Sequence, residues 1–282
     1  MVDVRRALAD RQWLVEAFAA VNFAGLVADI YLAHSTNHFR RASEYVPLVF
    51  SMAAAILLGA GLLLRPRAPA LWRALGYLVG WAAVAVGLAG VILHLDSRFF
   101  YERTIRSLAY AAPFAAPLAY AGLGLLLVAN RMVRPRSREW AQWVLLLALG
   151  GFVGNFVISL TDHAQNGFFR PIEWVPVVSS AVAIGFLLVP FITTVTAAYL
   201  RLCAAVLAAQ VIVGLAGSTL HLVADFAHPA ATLLDRIVSG APPMAPMLFV
   251  NLSILAAIAL AGWFDDSGPI ESETTGAARG DV

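Results

Sequence analysis

Eight stretches of this chain, at 13–33, 46–64, 74–95, 107–129, 140–162, 174–199, 202–224 and 243–263, run for about 20 residues each with almost no charge inside them. An α-helix needs that length to cross the roughly 30 Å hydrocarbon core of a bilayer. Hydrocarbon offers a backbone N–H or C=O no partner, so each run must satisfy its own hydrogen bonds. The expectation is therefore an all-α membrane protein with eight transmembrane helices and no sheet. Composition agrees, with 61% hydrophobic residues, 13% charged residues and a mean hydropathy of +0.79. The first run is a full-length span without a small-residue cleavage pattern behind a short core, so no cleavable signal peptide is expected. Residues 264–282 are acidic and poor in apolar side chains, which predicts a disordered tail.

Arginine sets the orientation, because the chain has no lysine and all 19 of its basic residues are arginine. Twelve of them, Arg5, Arg6, Arg11, Arg65, Arg67, Arg73, Arg131, Arg134, Arg136, Arg138, Arg201 and Arg279, fall on the side of the N-terminus, against seven on the other. The positive-inside rule then predicts both termini in the cytoplasm of a multi-pass inner-membrane protein. Trp13, Trp72, Trp140, Trp143 and Trp263 fall at the same cytoplasmic edge, as an interfacial aromatic belt would. All six histidines, His34, His38, His94, His163, His221 and His228, lie at or just beyond the opposite, exoplasmic ends of the odd-numbered runs.

The chain also repeats itself. "EYVPLVFS" at 44–51 returns as "EWVPVVSS" at 173–180, an offset of 129 that also carries His34 to His163, Phe39 to Phe168, Arg41 to Arg170 and Pro117 to Pro246. "GLAGVILH" at 87–94 returns as "GLAGSTLH" at 214–221. Residues 1–137 and 138–263 read as two copies of a four-helix unit, with 264–282 as a cytoplasmic tail. An even number of helices per unit gives both copies one orientation, related by a pseudo-twofold axis along the membrane normal. Both copies hold a histidine closing each odd helix, a Phe and an Arg beyond it, and a Glu opening the next helix. Arg41 with Glu44, and Arg170 with Glu173, are spaced for a local ion pair. Glu44 and Glu173 are equally suited to orient an imidazole or to handle a proton.

In an up-down four-helix bundle the first and third helices run the same way across a diagonal. His34 can then face His94, and His163 can face His221. Gly87 and Gly90 share a helical face below His94, as Gly214 and Gly217 do below His221. One reading of such a face is close helix packing through small residues. The other is a flat slot for b-type haem, with two imidazoles as axial ligands. Arg41, Arg98 and Arg170 would then meet the propionates at the polar rim, where a guanidinium suits a carboxylate.

A bare copper, iron or zinc site is the alternative, built from His34, His94, His163 and His221 with Glu44 and Glu173. His38, Asp162, Asp225 and His228 stand close enough in sequence to add ligands. A third reading is a non-redox transporter or a subunit of a larger complex, for which Asp29, inside the first run, is the ionisable group to explain.

Two fused four-helix units with a histidine pair in each are similar in layout to haem A synthases and, more loosely, to other b-type membrane cytochromes. That resemblance implies haem and redox chemistry, but the histidines here fall on odd rather than even spans, so no family residue is carried over. Cys203 is alone, so the chain holds no internal disulfide, and it has no Walker loop, dinucleotide fingerprint, GxSxG or HExxH motif. The reading is electron transfer, or oxidation of a quinol-like or small substrate, at a histidine-ligated centre on the exoplasmic, periplasmic side. The expected partners are the bilayer, a quinone, and partner subunits or an exoplasmic electron carrier; nucleic acid is not needed to explain the charge.

Overall fold

The computed structural model describes residues 10–230 and 232–265. Among them there is no strand. The main helices are α1 (Arg11–Ser35), α2 (Tyr45–Leu64), α3 (Pro69–Asp96), α4 (Leu118–Met132), α5 (Arg138–Gln165), α6 (Trp174–Ile192), α7 (Ala197–Ala227) and α8 (Met247–Asp265). Six of them, all but α4 and α8, are long and apolar enough to cross a membrane. The chain is an all-helical, multi-pass membrane protein. Residues 264 and 265 finish α8, and the rest of the tail lies outside the described residues.

Helix starts follow local chemistry. Asp10, Ser137 and Thr196 cap α1, α5 and α7 by accepting the backbone N–H of Trp13, Trp140 and Tyr199 at 3.1–3.2 Å. Proline corrects two of the expected spans. The run at 107–129 is not one helix: Ile105–Ala109 forms a short turn of helix, and α4 begins only at Leu118. Pro113 and Pro117 explain this, since proline donates no hydrogen bond and forces the residue before it out of the helical region. Likewise α8 begins at Met247, past Pro242, Pro243 and Pro246.

Two cores form. One joins Phe23, Ala54, Leu58, Val79, Ala83, Tyr120 and Leu127 of α1–α4. The other joins Leu145, Phe152, Ala183, Leu187, Leu207, Phe249 and Leu255 of α5–α8, and takes in Val15 of α1 and Leu126 of α4. Around them the outer surface is apolar as well, with Val21, Ile56, Leu78 and Ile212 exposed. That inversion is stable only against lipid.

Three of the tryptophans expected in an interfacial belt are core residues instead: Trp72, Trp140 and Trp263 are buried, while Trp143 is exposed. Trp140 donates its indole N–H to Asn130 Oδ1 at 3.2 Å, and Trp72 donates to Glu16 Oε2. Arg131, one of the twelve arginines on the N-terminal side, lies within α4 and its side chain is fully buried. Its Nη2 reaches Glu16 Oε2 at 2.7 Å, and its guanidinium lies 3.7 Å over the ring of Trp72. Nearby, Gln12 and Asn130 exchange amide-to-carbonyl bonds at 3.0 Å and fasten α1 to α4.

Candidate functional site

His34, His94 and His163 lie within two residues of the ends of α1, α3 and α5, as the sequence predicts, whereas α7 continues six residues past His221 to Ala227. The first-half arrangement starts at the end of α1, where the chain must turn sharply to enter α2. His38 and Phe39 take left-handed backbone at φ +59° and +49°, and the Phe39 N–H returns to the His34 carbonyl at 3.1 Å. In the second half Gly167 and Phe168 do the same at φ +72° and +51°, with the Phe168 N–H on the His163 carbonyl at 3.1 Å. This turn swings the following Phe back onto the imidazole: ring centroids are 5.8 Å apart for His34 and Phe39, and 6.1 Å for His163 and Phe168. Each Phe stacks in turn on the first aromatic of the next helix, Phe39 on Tyr45 at 4.6 Å and Phe168 on Trp174 at 4.0 Å.

The turn also delivers the glutamate. Glu44 closes a 3₁₀ turn, Ala42–Glu44, and Glu173 closes Pro171–Glu173. Their carboxylates are aimed at the imidazoles and not at Arg41 or Arg170, so the local ion pair allowed by the spacing is not made. His34 Nδ1 lies 3.7 Å from Glu44 Oε2, and His163 Nδ1 lies 3.8 Å from Glu173 Oε2. Asn37 donates to Glu44 Oε1 at 3.3 Å. Both Oε2 atoms are buried and have no hydrogen-bond partner. A desolvated carboxylate oxygen left this way is costly unless a cation or a donor fills the place beside it.

His94 stands beside His34, and His221 is anchored in the second half as His94 is in the first. The His34 and His94 rings stand edge to face at 6.4 Å. His94 Nδ1 is 3.0 Å from the Pro113 carbonyl, and His221 Nδ1 is 2.8 Å from the Pro242 carbonyl. A carbonyl oxygen can only accept, so Nδ1 carries the proton, and in the neutral ring Nε2 keeps its lone pair. Metal-binding histidines are commonly held by this kind of outer hydrogen bond.

The glycine faces below these histidines are not slots. A Cβ on Gly87 would come within 2.6 Å of the Ala121 nitrogen and 2.9 Å of the Pro117 oxygen, and one on Gly90 within 2.7 Å of Pro117 Cβ. Gly214 and Gly217 would meet the Pro246 oxygen at 2.8 Å and Pro246 Cβ at 2.9 Å. The first turns of α4 and α8 occupy both faces, so a haem lying against them does not fit. Close packing through small residues is what the glycines do. The arginines expected to hold propionates are otherwise engaged or turned outward: Arg98 Nε binds Glu102 Oε1 at 2.9 Å, Arg170 lies over the Phe169 ring at 5.4 Å, and Arg41 is exposed.

The additional ligands do not gather either. His38 is exposed on the turn. Asp225 is buried and ties down a loop, its Oδ1 accepting the Ala241 N–H at 2.7 Å. His228 Nδ1 accepts from the Ala230 N–H at 3.4 Å, and Asp162 is half-buried beside His163 without joining these contacts. Among the described residues, no three His, Cys, Asp or Glu side chains are closed round one point as a metal cage. Bonds of about 2.0–2.2 Å set tetrahedral donors roughly 3.3–3.5 Å apart, so the His34–Glu44 gap is slightly wider than a loaded site requires.

Sequence reasoning named the histidines and glutamates as candidates but missed the two proline carbonyls, Asn37 and the Phe–Tyr and Phe–Trp stacks. The offset of 129 that relates Pro113 to Pro242 and Tyr45 to Trp174 was the signal that could have found them. No family model, curated protein or solved structure matches this chain.

Proposed function

We propose that the chain is a duplicated membrane metalloprotein that binds one first-row transition ion in each half, at His34, His94 and Glu44 and at His163, His221 and Glu173. The two halves, 1–137 and 138–263, are copies of a four-helix unit related by a pseudo-twofold axis along the membrane normal. All eight main helices lie in the membrane, both termini are cytoplasmic, and the sites open to the exoplasmic face. The observation that carries the reading is the paired arrangement at each site. A buried carboxylate oxygen without a partner stands beside one imidazole, while the other imidazole spends Nδ1 on a backbone carbonyl and keeps Nε2 free.

Two imidazoles and one carboxylate suit iron(II), zinc or copper, and leave further coordination positions open. An ion held so supplies a Lewis-acid or redox centre at the membrane surface. The residues have separate tasks: Glu44 and Glu173 supply negative charge, Asn37 orients the first of these carboxylates, and Pro113 and Pro242 fix the tautomers of His94 and His221. A haem is the weaker choice, because Pro117 and Pro246 fill the faces it would need.

Metal analysis of the purified full chain, with an optical spectrum, tests this. Two ions per chain without a Soret band are expected, falling to one in Glu44→Gln and to none in the Glu44→Gln, Glu173→Gln double variant. A metal-free chain after growth with iron, copper and zinc, or a Soret band that persists in the double variant, would overturn it.

A further inference from the structure

The two halves differ in one place where their likeness elsewhere makes the difference informative. In the first half Phe50 packs edge-on against Phe23 at 5.8 Å and beside Tyr120 at 5.9 Å. The Tyr120 hydroxyl lies 2.5 Å from Ser51 Oγ and donates to the Pro47 carbonyl at 3.0 Å. Every polar atom there has a partner, and the space between the helices is filled. At the corresponding positions of the second half Phe50 becomes Ser179, Tyr120 becomes Phe249, Ala83 becomes Gln210 and Leu26 becomes Asn155. The aromatic plug is lost and amides replace apolar side chains.

A crevice of about 490 Å³ lies there between α6 and α7, with Trp174, Val178, Ser179, Val182, Val206 and Gln210 among its walls. Val178 is 55% exposed, so the crevice opens sideways to lipid. Its inner wall holds Gln210, only 2% exposed, whose Oε1 has no hydrogen-bond partner. In the same half Ser180 Oγ and Asn155 Nδ2 are also buried and unpartnered, Ser180 because Phe249 lacks the hydroxyl that Tyr120 offers Ser51. Unpaired polar atoms buried within a membrane protein cost free energy that water does not relieve.

We propose that this crevice binds a neutral membrane-dissolved lipophile whose hydroxyl donates to Gln210 Oε1 while its apolar body lies along Val178 and Val182. Depth selects the class. Gln210 precedes His221 by eleven residues of α7, about 16 Å along the helix axis. A phospholipid headgroup does not reach that level, whereas a quinol, phenol or long-chain alcohol does. The volume falls within the usual range for small-molecule sites, and one convergent polar group in an apolar wall is how such sites fix orientation. The assignment stands independently of the metal reading, since none of its residues is a proposed metal ligand.

The test is equilibrium binding of radiolabelled decylhydroquinone to the full chain in nanodiscs. One saturable site per chain is expected, weakened about tenfold in Gln210→Leu through loss of a single hydrogen bond, and weakened similarly for the probe's dimethyl ether. Ser179→Phe, which restores the first half's plug, is expected to abolish binding, as is Val178→Trp at the lipid-facing wall, where misfolding is not a concern. Metal content is expected to stay at the wild-type level in all three variants, which separates this result from that of the histidine site. Absence of saturable binding, equal affinity of the wild type and Val178→Trp, or equal affinity for the dimethyl ether would overturn the proposal.

Discussion

Arg131 lies 3.7 Å above the ring of Trp72 and 2.7 Å from the carboxylate of Glu16, and neither charge has any contact with solvent. Arg131 Nε and Nη1 and Glu16 Oε1 are left without hydrogen bonds. The positions that correspond to Glu16 and Arg131 in the second half are Leu145 and Leu260, both buried in its core. The same packing problem is thus solved once with an ion pair and once with two leucines.

Arg131→Leu alone is therefore expected to destabilise the chain by about 3–5 kcal/mol, because it strands a buried carboxylate. Glu16→Leu with Arg131→Leu is expected to lie much closer to the wild type than either single change. Detergent unfolding followed by circular dichroism measures the three differences. A double variant at least as unstable as the two singles combined would show that the charges are needed where they are.

Glycine substitutions separate packing from cofactor room. Gly87→Ala is expected to cost about 1–3 kcal/mol, since the new methyl meets the α4 backbone and not a flexible side chain. Gly59→Ala, where nothing lies within 4 Å, is expected to be neutral or to stabilise by up to about 1 kcal/mol through helix propensity. Thermal unfolding of both variants in one detergent gives the comparison.

His38 holds left-handed backbone where the second half uses Gly167. A non-glycine residue pays about 1–2 kcal/mol there. His38→Gly is expected to leave stability unchanged or raise it by up to about 1 kcal/mol, with metal content unaltered. A loss of metal in this variant would make His38 a ligand and not a turn residue.

Outer hydrogen bonds tune metal affinity by about 10–100-fold. Asn37→Ala is expected to weaken metal binding at the proposed first site within that range while leaving the proposed second site unchanged, because Asn37 donates only to Glu44. Competition with a chromophoric chelator reads the two sites separately.

Much of this was legible in the sequence. Apolar run length gave the helical class; the offset of 129 paired His34 with His163 and Glu44 with Glu173, and the GLAG repeat paired His94 with His221. What failed was local or spatial. Pro113 and Pro117 cut a 23-residue apolar run that composition alone reads as continuous. Trp72 and Trp140 sit at the right sequence depth for an interfacial belt, but Glu16 and Asn130 draw their indole N–H groups inward. The glycine faces were correctly seen as flat. What lies against them is the start of the next helix, a partner that helical periodicity does not name.

The brevity of α4 has a consequence for access. Its 15 residues extend about 22 Å, against a hydrocarbon layer of roughly 30 Å. In the proposed eight-span arrangement, a helix that short draws the lipid surface down around its blunt end or leaves that end under a dimple of water. The non-helical segment whose Pro113 carbonyl steadies His94 lies over that end. In the proposed arrangement, hydrated ions therefore reach the imidazole layer from the headgroup region without any helix moving aside.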